Sequence, residues 1–576
     1  MAYKINLKDV YKGYTLDQDK VISPEETVHR FRERLNKIDL NILEETVRID
    51  NGRLDIPVYF SICGKDAQAV MNTRKQMGKG GTPEQAEASA VMELAERFSL
   101  FSFLNTPEHF VVDEYRNIKD EALPFESLAL SVHDDSPDLD RAYQVFSEIP
   151  LRWCHAYSLT EERDLLIPFD WFYTINQFNG SSAGNCAEET ILQGVCEIVE
   201  RHVSSLISGE QLLTPSIDLS SVTDPLALEL IDKYRNAGIR LYVRDFSLDI
   251  GIPTVGILAY DPSTFPDESE IVWTAGTTPS PEKALVRALT EVAQLAGDFN
   301  TGSKYVASGL PKFNNLNEAD YVINHIGKID IKDLPDLSDN NMRVETENCI
   351  KALSQHAMEV ITIDVTHPVL QIPSFYSIVP GAHFRERAAG TCVGMVTAKL
   401  VAEGENPSEA ISRLKKMNRT MPDKYYVKFF MGLSYLSMGN PSSALKCLEE
   451  ALEHEPDQQD IPSIYSYMGV CLKEMECYEK AVSVLEEAEK YDAERTDIYN
   501  LMGFCYFKQR KHTKAIECFQ RVLALDPGSA IDYANIASNY REMGKREEAI
   551  QFYKFALELD PSIDFARESL KSLESA

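Results

Sequence analysis

The sequence predicts an α+β domain over residues 1–385, whose helices carry a shared nucleotide site, followed by an all-α superhelix of repeated helical pairs over 386–576. Three observations predict it. Short segments rich in β-branched and aromatic residues alternate with amphipathic ones through the first part. A fingerprint of small, large apolar, Ala and Pro positions recurs at a regular step through the last part. One pattern of carboxylates occurs three times in the first part.

A chain of 576 residues favours more than one domain, and 44% hydrophobic with 9% aromatic residues is the composition of a folded soluble protein. No apolar run approaches the ~20 residues that span a bilayer. The start, MAYKINLKDVYKGYTLDQDK, lacks the layout of a signal peptide, so a cytoplasmic location without membrane association is expected. The eleven cysteines include no CxxC pair and read as reduced thiols. The net charge of -32 argues against direct binding of nucleic acid, which relies on neutralising phosphates with Lys and Arg.

Residues 24–39 have helical periodicity. LDIPVYFSIC (54–63), LLIPFDWFYTI (165–175), IRLYVRDFS (239–247) and TVGILAY (254–260) read as strands, and strands followed by amphipathic helices make a mixed domain. Segment 105–147 reads as an irregular, acidic excursion over the surface. Segment 296–345, with GDFNTGSKYVASG and DLPDLSDNN, reads as a second irregular stretch of the kind that forms lids or binding loops.

In the last part, Gly432, Tyr435, Ala444, Leu448, Ala451 and Pro456 mark one unit. Units at Gly469, Gly503 and Ala537 follow at steps of 37, 34 and 34 residues. A weaker unit lies upstream, with Ala398, Ala410 and Pro422. This spacing resembles the tetratricopeptide repeat, a helix-turn-helix unit that stacks into a superhelix and commonly holds a peptide or protein in its groove. IDFARESLKSL at the end reads as a capping helix.

The three carboxylate copies are 82–97, 186–201 and 280–295. Aligned without gaps, they share Glu84, Glu188 and Glu282, and nine residues later Glu93, Glu197 and Glu291. Glu96, Glu200 and Gln294 follow three residues on; Ser89, Gln193 and Arg287 stand four residues before the second shared Glu. Ser89, Glu93, Glu96 and Arg97 fall on one helical stripe, as do Glu189, Gln193, Glu197, Glu200 and Arg201. Acids on largely apolar helices are costly unless a cation meets them. Mg2+ takes carboxylate oxygens and completes its shell with substrate phosphate. The asymmetry of the copies assigns the metals to the first two helices and positive charge, through Arg287, to the third. GKGGT at 78–82 is no P-loop, because Gly80 stands where Ser or Thr is needed.

GKGGTPEQAEASAVMELAER, NGSSAGNCAEETILQGVCEIVER and RALTEVAQ together resemble the signature stretches of YcaO-domain proteins, and the resemblance covers about residues 15–385. It implies ATP held without a Walker motif, by acids that bind Mg2+ around the phosphates. It also implies phosphorylation of a backbone amide oxygen coupled to nucleophilic attack. A neighbouring Cys, Ser or Thr then gives an azoline, as in cyclodehydratases, and a sulfide donor gives a thioamide. Carried over, Glu93, Glu96, Glu189, Glu197 and Glu200 match the metal and phosphate acids. Asn185, Gln193, Arg201 and Arg287 match nucleotide positions, beside Ser89. Lys20 and Thr27, seven apart in KVISPEET, match a Lys–Ser pair of the family, with Thr in place of Ser. No dedicated nucleophile or catalytic residue stands out.

Azoline-forming members often end in a proline-rich tail, whereas this chain ends SLKSLESA. The bacterial branch with tetratricopeptide-like helices, associated with β-methylthiolation of ribosomal protein S12 as an accessory factor, resembles it better. A peptide or protein substrate, a partner in the repeat groove and a homodimer are the implied partners. An amide-activating enzyme, an ATP-binding accessory factor and a scaffold with a dead catalytic domain remain as alternatives; intact acids argue against the last.

Overall fold

The computed structural model describes residues 4–302, 304–306, 310–384, 390–404 and 406–575. Parts of the 296–345 stretch therefore lie outside the described residues. Internal contacts divide the chain into two units. One comprises the residues up to Pro137 together with Ser147–Val393; the other comprises Asp138–Phe146 and the residues from Gly394 onward. Among the described residues, no helix is long and apolar enough to cross a membrane.

The first unit is built on three sheets. Leu43–Arg48, Val58–Cys63 and Lys75–Lys79 form an antiparallel meander. Five strands follow the order Val272–Thr277, Thr254–Tyr260, Arg240–Asp245, Ser216–Asp218, Lys328–Asp330, of which the last pair is parallel. The third sheet runs Val111–Glu114, Pro150–Ser158, Ile361–Asp364, Ser374–Ile378, Ser181–Ala183, with Arg163–Pro168 also paired to Pro150–Ser158.

Each carboxylate helix leaves a strand of a different sheet through a short turn. Lys75–Lys79 leads to Pro83–Leu104, Ser181–Ala183 to Ala187–Glu210, and Val272–Thr277 to Pro281–Ala296. The apolar positions between the acids enter the core: Val91, Leu94 and Phe98 pack with Phe31 and Ile42. Ile191, Val195, Ile198 and Val199 pack with Phe246, Trp273 and Phe375. Leu285, Val286, Leu289 and Val292 pack with Val255 and Ile257. The buried side of each helix fixes the direction in which its polar stripe points.

Two sequence expectations need correction. Segment 105–147 is not an irregular surface excursion. It contains the strand Val111–Glu114 and the helices Tyr115–Ile118, Phe125–Ser131 and Leu139–Phe146, and buries Leu123, Leu128, Val132 and Phe146. Its elements are too short to show a period. LLIPFDWFYTI is a strand only as far as Pro168; Phe169–Asn176 is a helix, burying Trp171 and Phe172.

The second unit is a stack of helix pairs: Tyr425–Ser437 with Pro441–Glu453, Ile461–Glu474 with Tyr478–Tyr491, Thr496–Lys508 with His512–Leu525, and Ala530–Glu542 with Arg546–Leu559. The helix Asp564–Ser575 follows them, and its Leu570 and Leu573 pack on the last pair. Gly469 and Gly503 lie so close to Leu485 and Phe519 that an added Cβ would stand 2.6 and 2.7 Å away, which is why the repeat keeps a small residue there. Ala444, Ala481, Ala515 and Ala549 are fully buried at the matching position of the second helix. The helix Leu139–Phe146 packs beside Pro407–Thr420.

Candidate functional site

The turns that open the three helices determine what surrounds them. Gly78 touches the first helix so closely that a Cβ would collide with the backbone at Ala90, and at Gly80 it would stand 2.6 Å from Ala86 N. The glycines of GKGG thus serve helix–strand packing. Thr82 Oγ1 caps the first helix at Gln85 N (3.2 Å) and Cys186 Sγ the second at Glu189 N (3.4 Å). Burial pushes the Cys186 thiol up to about 12, so at neutral pH it is a cap and not a thiolate.

An amino-terminal strap crosses these turns. Lys8 N–H donates to Glu188 Oε1 (2.6 Å), Val21 N–H to Glu189 Oε2 (3.0 Å), and Lys283 Nζ to the Leu16 carbonyl (2.9 Å). Gly81 N–H donates to Asp17 Oδ2. Lys12 lies between Asp19 and Glu345, at 2.7 and 2.5 Å.

Under the strap lies a cleft of about 830 Å³, open solvent included. Of the residues singled out in the sequence, Lys20, Thr27, Ser89, Glu93, Glu96, Asn185, Glu189, Gln193 and Arg287 line it. Lys20 Nζ is 3.7 Å from Glu189 Oε1, and Thr27 Oγ1 is 3.3 Å from Asn185 Oδ1, so both strap residues reach the second helix. Glu93 and Glu96 share Arg97, each at 2.7 Å. Its guanidinium also lies over the Phe178 ring. Glu197, Glu200 and Arg201 are outside the lining. Glu197 meets Arg201 at 3.6 Å and accepts from Gly180 N–H; Glu200 meets Arg287 Nε at 3.2 Å and accepts from Thr277 N–H. Oriented toward Arg287, the Gln193 amide oxygen accepts from its Nη2 at 3.1 Å.

Burial raises the Glu96 carboxyl well above its ordinary range; Glu93 and Glu197 add to this and Arg97 opposes it. Burial raises Glu197 too, against Arg201 and Arg97. Acids that repel one another in a dry place are stabilised by a cation. Among the described residues no group of three or more His, Cys, Asp or Glu stands ready to hold a metal; Glu93, Glu96, Glu197 and Glu200 lie against arginines and Glu189 against Lys20. The donor set nonetheless suits a hard cation with phosphate. It offers carboxylate oxygens, several buried cations and, at the cleft wall, the buried Gln85 Oε1, which has no hydrogen-bond partner among the described residues.

Sequence reasoning missed Asp17, Lys79 and Gln85, all of which line the cleft. Lys79 pairs with Glu291 of the third helix, and burial, together with Arg287, pulls its ammonium down to about 7. His202 serves structure: its Nδ1 accepts from His383 N–H (3.0 Å), and burial pulls it down to about 4. Cys196 is buried in the core.

Residues 77–383 match the family profile described as YcaO cyclodehydratase, ATP- and Mg2+-binding. Residues 425–458 and 494–562 match tetratricopeptide-repeat profiles. A protein of Methanothermobacter thermautotrophicus, described as uncharacterized, is 28% identical over 383 residues, covering 63% of this chain and 94% of that one. The ribosomal protein S12 methylthiotransferase accessory factor YcaO of Escherichia coli is 25% identical over 296 residues, 47% of this chain and 48% of that one. The structure of YcaO from Methanopyrus kandleri bound with AMPPCP and Mg2+ has the same fold, with a TM-score of 0.51 at 22% identity, covering 67% of this chain and 97% of that one.

Proposed function

Because the chain belongs to the YcaO family, whose profile spans residues 77–383, we propose that it binds ATP with Mg2+ in this cleft and activates a backbone amide of a peptide or protein by O-phosphorylation. One observation carries the reading: polar side chains from all three carboxylate helices and from the strap line a single cleft. Glu93, Glu96 and Glu189 at the lining, and Glu197 and Glu200 outside it once released from Arg201 and Arg287, would hold Mg2+. Lys20, Thr27, Ser89, Asn185, Gln193, Arg201 and Arg287 would hold the nucleotide. Bound there, ATP with Mg2+ supplies the phosphoryl group that turns an amide oxygen into a leaving group. The residues' own task is to fix the phosphates, balance their charge and keep water out. The repeats would present the partner, and the product is an azoline or a thioamide.

Calorimetric titration of ATP·Mg2+ into the full chain tests the site. Binding by the wild type that Glu197→Ala weakens at least tenfold supports it, and equal affinity sinks it. Incubation with candidate peptides, read by mass for loss of water or exchange of oxygen for sulfur, tests the chemistry.

A second reading is an accessory factor for β-methylthiolation of ribosomal protein S12, with the repeats recruiting the partner. The likeness to the Escherichia coli accessory factor favours it. ATP·Mg2+ binding without any change in peptide mass would select it.

A further inference from the structure

Asp17, on the strap, is fully buried and lines the cleft beside Gln18, Lys20 and Gln85. Its Oδ2 accepts the Gly81 N–H. Its Oδ1 is buried and has no hydrogen-bond partner among the described residues. The other cleft acids are differently placed: Glu93 and Glu96 lie on Arg97, and Glu189 takes Val21 N–H, Asn185 and Lys20. A carboxylate so buried, helped only by the Gly81 N–H and the neighbouring Gln18 side chain, is costly to ionise, and Asp17 stands at the cleft wall.

The surroundings agree. Burial pushes the Asp17 carboxyl up to about 6. The Gly81 N–H, the Gln18 side chain and the charges of Lys283 and Lys20 oppose burial without cancelling it. Tyr14 also faces it and is pushed up to about 12, by burial and then by the charge of Asp17. Such a carboxyl is ionised at neutral pH and is more basic than an ordinary Asp.

We propose that Asp17 is the proton acceptor of the cleft, taking the proton from the group that attacks the amide carbon. The proposal rests on the amide-activation reading above. When a thiol, hydroxyl or hydrosulfide X–H adds to the carbonyl, the X–C bond forms and the X–H bond breaks. The X–H electron pair stays on X, and the proton passes to Asp17 Oδ1. The carbonyl π pair moves onto the oxygen that is then phosphorylated. Asp17 returns the proton to solvent after product leaves.

The test uses the full chain with ATP·Mg2+ alone, where water attacks the γ-phosphate in place of the amide carbon, ADP leaves, and the O–H proton passes to the same acceptor. Asp17→Asn keeps an oxygen for the Gly81 N–H, so ATP·Mg2+ affinity should stay within about threefold of wild type. Basal ADP release should fall roughly a hundredfold or more, the usual worth of a positioned base. The acid limb of the wild-type rate profile, near pH 6, should vanish with it. Independently of turnover, difference infrared spectra should contain a carboxyl band titrating near pH 6 in the wild type and missing from the variant. Normal binding with an unaltered rate profile in Asp17→Asn overturns the proposal alone, and so does loss of ATP·Mg2+ affinity, which would make Asp17 a tie to Gly81 only. A wild type that binds no ATP·Mg2+ overturns the nucleotide reading, and this proposal with it.

Discussion

Arg287 Nε on the third carboxylate helix lies 3.2 Å from Glu200 Oε2 on the second, and both side chains are largely buried. The guanidinium expected to meet phosphate therefore already neutralises one of the acids expected to meet metal. Lys79 and Glu291 tie the first turn to the third helix in the same way. The site is a set of mutually compensated charges before anything enters it.

Removing one member of such a pair strands the other. Arg287→Met should cost about 3–5 kcal/mol, the usual penalty for an orphaned buried charge. Arg287→Met with Glu200→Gln should recover most of the loss, because no charge is then left unpaired. Denaturant titration of the two variants decides this; a double variant no more stable than the single one refutes it.

ATP·Mg2+ should stabilise the first unit. At a hundred times its dissociation constant a ligand adds about 2.7 kcal/mol to the unfolding free energy. In Glu197→Ala, with affinity at least tenfold weaker, the rise in melting temperature with AMPPCP and Mg2+ at the same concentration should shrink to about half or less. A full shift in the variant would remove Glu197 from the site.

Stability should respond to pH through Asp17. Its folded pKa of about 6 lies above its ordinary value of 3.8, so the folded chain holds more protons between these values. The contribution is therefore intact below pH 3.8 and is lost as pH rises to 6. Asp17→Asn removes the titration. Its stability relative to wild type should climb across that window, by about 3 kcal/mol at most, and stay level above it. A pH-independent difference would show that the carboxyl titrates normally.

Glycines should divide by what a Cβ would meet. Gly78→Ala forces contact with the backbone at Ala90 and should cost about 1–3 kcal/mol or more. Gly209, in the exposed last turn of the second helix, has nothing within 4 Å, so Gly209→Ala should gain up to about 1 kcal/mol. Thermal unfolding of the two variants tests the contrast.

The helices and the cleft their polar side chains line were legible because the acids keep one register against an apolar background. The column Glu84, Glu188 and Glu282 means something else. These are first-turn acids, favoured at helix N-termini. Glu188 holds the strap, and Glu282 receives Thr223 N–H at 2.9 Å. The next column was the informative one: Gln85 and Glu189 line the cleft, and Lys283 holds the strap. Lys79 was passed over because its GKGG failed as a phosphate loop, although packing alone explains those glycines. Asp17 carries no local signal, since the Gly81 N–H it accepts lies far along the chain. The repeats were legible throughout, because each unit states its packing rule again. Segment 105–147 states its rule only once, in pieces shorter than a period.

The strap precedes every partner it touches, and those partners reach as far as Glu345. During synthesis it emerges before them and waits, while more than three hundred residues are added, for the surfaces that will hold it. Closing so long a loop comes late for entropic reasons. An incomplete or truncated chain would thus display an open, acidic cleft. The strap's arrival is the event that marks the first unit as finished.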